Sequence, residues 1–306
     1  MATAAFTGRG PLVQRSARDG TARTRAAAPV STVSALTNWR FDSLPAITAI
    51  VALAAYLAAA ARFRALRGRA WPHALTAWFV AAVLAGLAAI ESPLDAAGDA
   101  RFAPHMVQHL ILTDVTAPLL LLGAPLLLVL STAPTGVARR MVGYLKSPVG
   151  RVLGSPIFTW SVFILTLWLL HYTGFFEAAL DDGALHVLEH ALYLGTALLF
   201  WFPVIAIGPT PWSQGALAFP LRLLYLLVAM PAEGMLGFTL NGARHVLYPH
   251  YAAAGLADQQ SAGEIMWIGG TLVMFVAFMI VGFEWAKHER RLGDKLDARA
   301  DALELR

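Results

Sequence analysis

A chain of 306 residues that is 58% hydrophobic, 14% charged and free of cysteine is not a soluble globular domain, which would carry about 25% charged residues. Its mean hydropathy of +0.60 places it among integral membrane proteins, and the missing thiols exclude disulfides, thiolate metal ligands and CxxC redox chemistry. The formal net charge of +4 comes from basic residues beside apolar runs; it reads as membrane topology and gives no reason to expect nucleic acid.

Residues 1–42 are rich in Arg, Ala, Thr and Gly and contain no apolar core of the kind a signal peptide needs. They read as a disordered basic tail. Seven apolar stretches follow, near 43–62, 71–91, 104–130, 155–173, 184–207, 217–240 and 264–286, each long enough, at about 20 residues, to cross a bilayer as a helix. Lipid offers no partner to backbone groups and no stretch alternates like a barrel strand, so helices are the only solution. The expected fold class is all-α: a polytopic membrane protein whose seven transmembrane helices occupy 43–286, followed by a charged tail over 287–306. Ala and Gly in AAVLAGLAAI predict close helix packing. Pro118, Pro125, Pro203 and Pro231 predict kinks.

The loops between the spans set the orientation. Arg62, Arg64, Arg67 and Arg69 crowd the first loop, and Arg139, Arg140, Lys146 and Arg151 the third, whereas Glu91, Asp95 and Asp99 mark the second and Glu177, Asp181 and Asp182 the fourth. The positive-inside rule then puts the first and third loops and the C-terminus in the cytoplasm and the N-terminus outside. Asp114 and Glu233 are ionisable groups within spans, and such groups are functional candidates by default.

Of the nine histidines, His105, His109, His171, His186, His190, His245 and His250 fall at the outer ends of spans or in outer loops; only His73 and His288 fall on the other side. HMVQH at 105–109 and HVLEH at 186–190 repeat one spacing. Residues four apart on a helix share a face with Cβ atoms about 5–6 Å apart, close enough for two imidazoles to hold one ion. The expected metal ligands are His105, His109, His186, His190 and His171, in one site or in two. Imidazoles with Met106, Met235 and Met266 near the same ends point to copper ahead of zinc, since thioethers favour cuprous copper. Haem is less suited, because axial ligands stand singly across a wide slot. HVLEH also has the H-x-x-E-H form of an inverted zincin protease, with Glu189 as base. That mechanism leaves the second histidine pair without a role.

The motifs MVQHLIL (106–112), APLLLLGAP (117–125), HVLEH (186–190), FWFPVIAIG (200–208) and DQQSAGEIMW (258–267) together resemble the CtaG-type cytochrome c oxidase assembly factors, a seven-span bacterial membrane family. The resemblance covers about 45–290. It implies a non-enzymatic role in maturing a haem–copper oxidase, with cytochrome c oxidase subunits as partners, copper supply from the outer face, and a place in the bacterial plasma membrane. The alternatives left open are a membrane metalloprotease and a haem-bearing redox protein.

Overall fold

An unbroken run of Ala, Leu and Val after Pro45 lets α1 extend over Leu44–Arg67 until Gly68, at φ 65°, ends it in a left-handed turn. The computed structural model describes Trp39, residues 44–205, Ile207 and residues 217–304; apart from Trp39, the basic tail expected over 1–42 lies outside the described residues. α2 (His73–Ile90) is followed by the short α3 (Pro93–Ala100), whose Ser92 cap accepts from the Leu94 N–H. The described residues are helical and loop only, so the all-α fold expected from the sequence is present.

The third apolar stretch is not one helix. It comprises α4 (Phe102–Leu110), a π-helical segment (Ile111–Thr116), α5 (Ala117–Leu122) and α6 (Pro125–Thr132). The predicted kink at Pro125 is a break: Ala124 adopts φ 49°, ahead of the proline. The Gly123 carbonyl freed there accepts from the Tyr56 hydroxyl at 2.8 Å, and Trp71 Nε1–H donates to that hydroxyl at 2.9 Å. A side chain at Gly123 would put its Cβ 2.8 Å from Phe79 Cβ, so glycine is what lets α2 approach the break. In the π segment the backbone ladder slips by one residue, and the Thr113 carbonyl accepts instead from Trp201 Nε1–H at 2.9 Å.

The basic third loop folds into α7 (Thr135–Leu145) and α8 (Pro148–Leu153). α9 (Pro156–Tyr172) joins α10 (Gly174–Asp181) at a bend of 72°. α11 (Gly183–Ile205) and α12 (Phe219–Asn241) carry Pro203 and Pro231 without interruption. A 3₁₀ turn (Pro249–Tyr251), α13 (Gly255–Glu264), a second π segment (Ile265–Gly270) and α14 (Thr271–Glu304) complete the chain. The charged stretch from 287 onward therefore continues the last helix through Glu304. Among the described residues six helical stretches are long and apolar enough to cross a bilayer, and α9, with 17 residues, makes a seventh when joined to α10.

The inner faces of α9, α11, α12 and α14 interlock around Phe163, Phe200, Trp201, Leu226 and Met274, all at most 1% exposed. A second apolar cluster, with Tyr56 stacked on Phe79 at 4.0 Å, ties α1 and α2 to α6. Outward-facing Leu, Ile and Val on α1, α12 and α14 remain exposed, as a lipid-facing surface requires.

Candidate metal centre

Two N-terminal helix ends meet at one end of the bundle, and each is fixed by an aspartate. Asp258 of α13 accepts hydrogen bonds from the backbone N–H groups of Phe102 (2.6 Å) and Ala103 (3.4 Å) and from Arg101 Nε (3.0 Å), so it caps α4 from another helix. Asp182 caps α11 in the usual local way, accepting from Ala184 and Leu185 N–H groups at 2.8 and 3.1 Å. One turn beyond each cap stand the paired histidines.

The imidazoles of His105, His109, His186 and His190 come together. Ring centroids are 4.4 Å apart within each pair, and across the helices His105 lies 5.4 Å from His186 and His109 5.5 Å from His190. Ligand atoms of His105, His109 and His190 lie within 4.8 Å of one another, and so do those of His105, His186 and Glu189. The expected pairs are thus recombined, each ligand group drawing from both helices. His186 and His190 fall in different groups, and Glu189, the base expected of an inverted zincin, stands instead with His105 and His186 at ligand distance.

His171 flanks the cluster. Its ring is 6.2 Å from His109, and its Nδ1 is 2.8 Å from the Leu167 carbonyl and 3.1 Å from the Tyr193 hydroxyl. A carbonyl oxygen only accepts, so the proton sits on Nδ1 and the lone pair on Nε2. Met106 and Met266 are packed in the apolar core, and Met235 is half exposed on the outside of α12. The donors assembled are imidazole and carboxylate.

Nearly every inward polar atom of the cluster lacks a hydrogen bond among the described residues: Nε2 of His105, His186, His190 and His171, both ring nitrogens of His109, and both oxygens of Glu189. Each buried polar atom left unmet costs about 1–3 kcal/mol, and Glu189 is fully buried, with the His109 imidazole at 4.0 Å and the ligand atoms of His105 and His186 within 4.8 Å. A fold that leaves so many convergent lone pairs unmet fits a bound cation. The arrangement suits haem less well, since the imidazole rings stand 4.4 to 5.5 Å apart whereas axial ligands stand singly across a wide slot.

An aromatic roof covers the cluster. Phe176 of α10 stacks on His171 at 5.2 Å and meets His105 edge-on at 5.6 Å, while Phe102 packs against Phe176, Tyr248 and Tyr251. Burial pushes the Tyr248 and Tyr251 phenols up, which keeps them neutral donors to the carbonyls of His171 (3.0 Å) and Gly98 (2.9 Å). Over the roof, His250 spans Asp181 (3.1 Å) and the Asp99 carbonyl (3.2 Å), and its backbone N–H donates to Glu177 at 2.8 Å. His73 and His288 are not part of the cluster; the His288 ring lies 5.6 Å from Phe219.

The two ionisable groups within spans also meet. Asp114, in the first π segment, and Glu233, two residues after Pro231, interact side chain to side chain. The second π segment closes on the same point, since a Cβ at Gly270 would lie 2.8 Å from Glu233 Oε1. Neither their meeting nor the cap at Asp258 is legible in the sequence. The residues concerned are over a hundred positions apart, and no local spacing encodes them.

Residues 54–288 match the family described as cytochrome c oxidase caa3 assembly factor (Caa3_CtaG). The chain is 30% identical over 295 residues to uncharacterised proteins of Mycobacterium bovis and Mycobacterium tuberculosis, and 28% identical over 291 residues to one of Mycobacterium leprae. In each case the match covers 90% of this chain and 43% of the relative, so the chain spans less than half the length of these curated relatives. No solved structure matches. Most of the apolar bundle and all five converging histidines fall inside the family match, and the chain belongs to the cytochrome c oxidase caa3 assembly factor family.

Proposed function

We propose that this chain is a non-enzymatic membrane assembly factor that takes up copper at the His105–His109–His190 centre and supplies it to a haem–copper oxidase. The observation that carries the reading is the convergence of buried imidazole nitrogens without hydrogen bonds, from two helices, in a membrane protein of an oxidase-assembly family. Imidazole suits copper, zinc and iron. Copper is favoured among them because it is the metal that a haem–copper oxidase must acquire together with haem. On this reading the centre faces the extracytoplasmic side of a bacterial plasma membrane, an orientation that the basic first and third loops support, and the oxidase subunits that receive the metal are the partners this role requires.

What the residues do follows from their setting. α4 and α11 carry the imidazoles one helical turn apart on facing helices, and the aromatic roof keeps bulk water from competing for the ion. Metal capture displaces protons from imidazole nitrogens, so acid weakens it. The test is copper content after purification from copper-replete cells. Wild type should retain copper, and His109→Ala combined with His190→Ala should lose nearly all of it and lower oxidase activity in cells. His73→Ala and His288→Ala should change neither. Full retention by the double variant would overturn the site.

A further inference from the structure

The two ligand groups share His105. A neutral imidazole has one lone pair to give. An ion held by His105, His186 and Glu189 therefore excludes a second held by His105, His109 and His190. The groups also differ in chemistry and in position along the two helices. One offers two imidazoles and a carboxylate; the other offers imidazoles alone. His186 is half-buried and interacts electrostatically with Asp95 and Asp99 on the acid-bearing end of the bundle. His109 and His190 stand one helical turn further along α4 and α11 than His105 and His186, while burial is alike in the two groups, each with two buried members and one half-buried.

From this shared ligand we propose that His105, His186 and Glu189 form a loading station, through which a single copper ion passes on its way to His105, His109 and His190. The proposal rests on the copper reading above and adds an order of events to it. The Glu189 carboxylate supplies the negative charge that a cation needs on leaving water, where attraction between opposite charges is strongest. Transfer then keeps the bond to His105, forms bonds to His109 and His190, and breaks those to Glu189 and His186. The ion is never without ligands, and no electron moves.

Purified full-length chain in detergent can be mixed with cupric ion at one equivalent, freeze-quenched at intervals and read by electron paramagnetic resonance. In wild type the early spectrum should show two imidazole nitrogens with oxygen coordination, giving way to three imidazole nitrogens. Glu189→Gln keeps the shape of the side chain, and it should slow uptake at least about tenfold while the final spectrum still shows three nitrogens. His186→Ala, a second variant, should also slow uptake. Uptake at the wild-type rate in both variants overturns the loading station, as does saturation of wild type at two ions per chain. A wild type that binds no cupric or cuprous ion would instead overturn the copper reading itself.

Discussion

Asp258 lies outside both candidate ligand groups yet caps the helix that carries His105. Its carboxylate is 4% exposed and holds the first two N–H groups of α4, one turn before His105. Asp258→Ala leaves those donors buried without an acceptor, a loss of about 1–3 kcal/mol, and frees the helix end that aims His105. The melting midpoint in detergent should fall and copper affinity with it. Arg101 binds the same carboxylate at 2.9 Å, but its side chain is 62% exposed, and exposed ion pairs are worth about 1 kcal/mol or less. Arg101→Ala should therefore leave both measurements near wild type. Equal effects of the two substitutions would show that the ion pair, and not the cap, is what matters.

At the scale of elements, the paired histidines are legible because a helix converts a four-residue spacing into a shared face. The π segments are not: no residue type in ILTDVT or IMWIGG marks a one-residue slip, and in the first of them another helix takes up a backbone carbonyl, as Trp201 does at Thr113. Close approach of α12 to the second π segment depends on glycine. A Cβ at Gly237 would lie 2.5 Å from the Trp267 backbone nitrogen and 2.6 Å from the Gly263 carbonyl. Backbone atoms cannot swing aside as side chains can. Gly237→Ala should thus cost about 1–3 kcal/mol, read as a lower melting midpoint, whereas Gly282→Ala, with open space around it, should not shift it.

For the whole molecule, orientation rests on loop charge and the packing of helices says nothing about it. Reporters fused after residue 66 or 145 should read as cytoplasmic, and after 97 or 180 as extracytoplasmic, because short basic loops are retained inside. Residues 97 and 180 lie in α3 and α10, the two short helices beside the cluster. A cytoplasmic signal from the fusion at 97 would place the histidine centre on the inner side and remove the argument for supply from outside.

Length, hydropathy and spacing by themselves determined that this chain is a helical membrane protein with about seven spans and two histidine pairs at like positions. Those properties are local: burial in lipid demands an apolar run, and a helix repeats every 3.6 residues. The tertiary structure alone decided how the pairs combine. It split HVLEH between two groups of side chains that could hold an ion, brought Glu189 into one of them, left His171 at the edge, and kept Met106 and Met266 in the core. It also joined Asp114 to Glu233 and set Asp258 on the end of α4. The reason is that which side chains face each other depends on how helices cross and where they break. Those choices follow from contacts between residues far apart in the chain, such as glycine against backbone and tryptophan against a freed carbonyl, and no single stretch of sequence contains both partners.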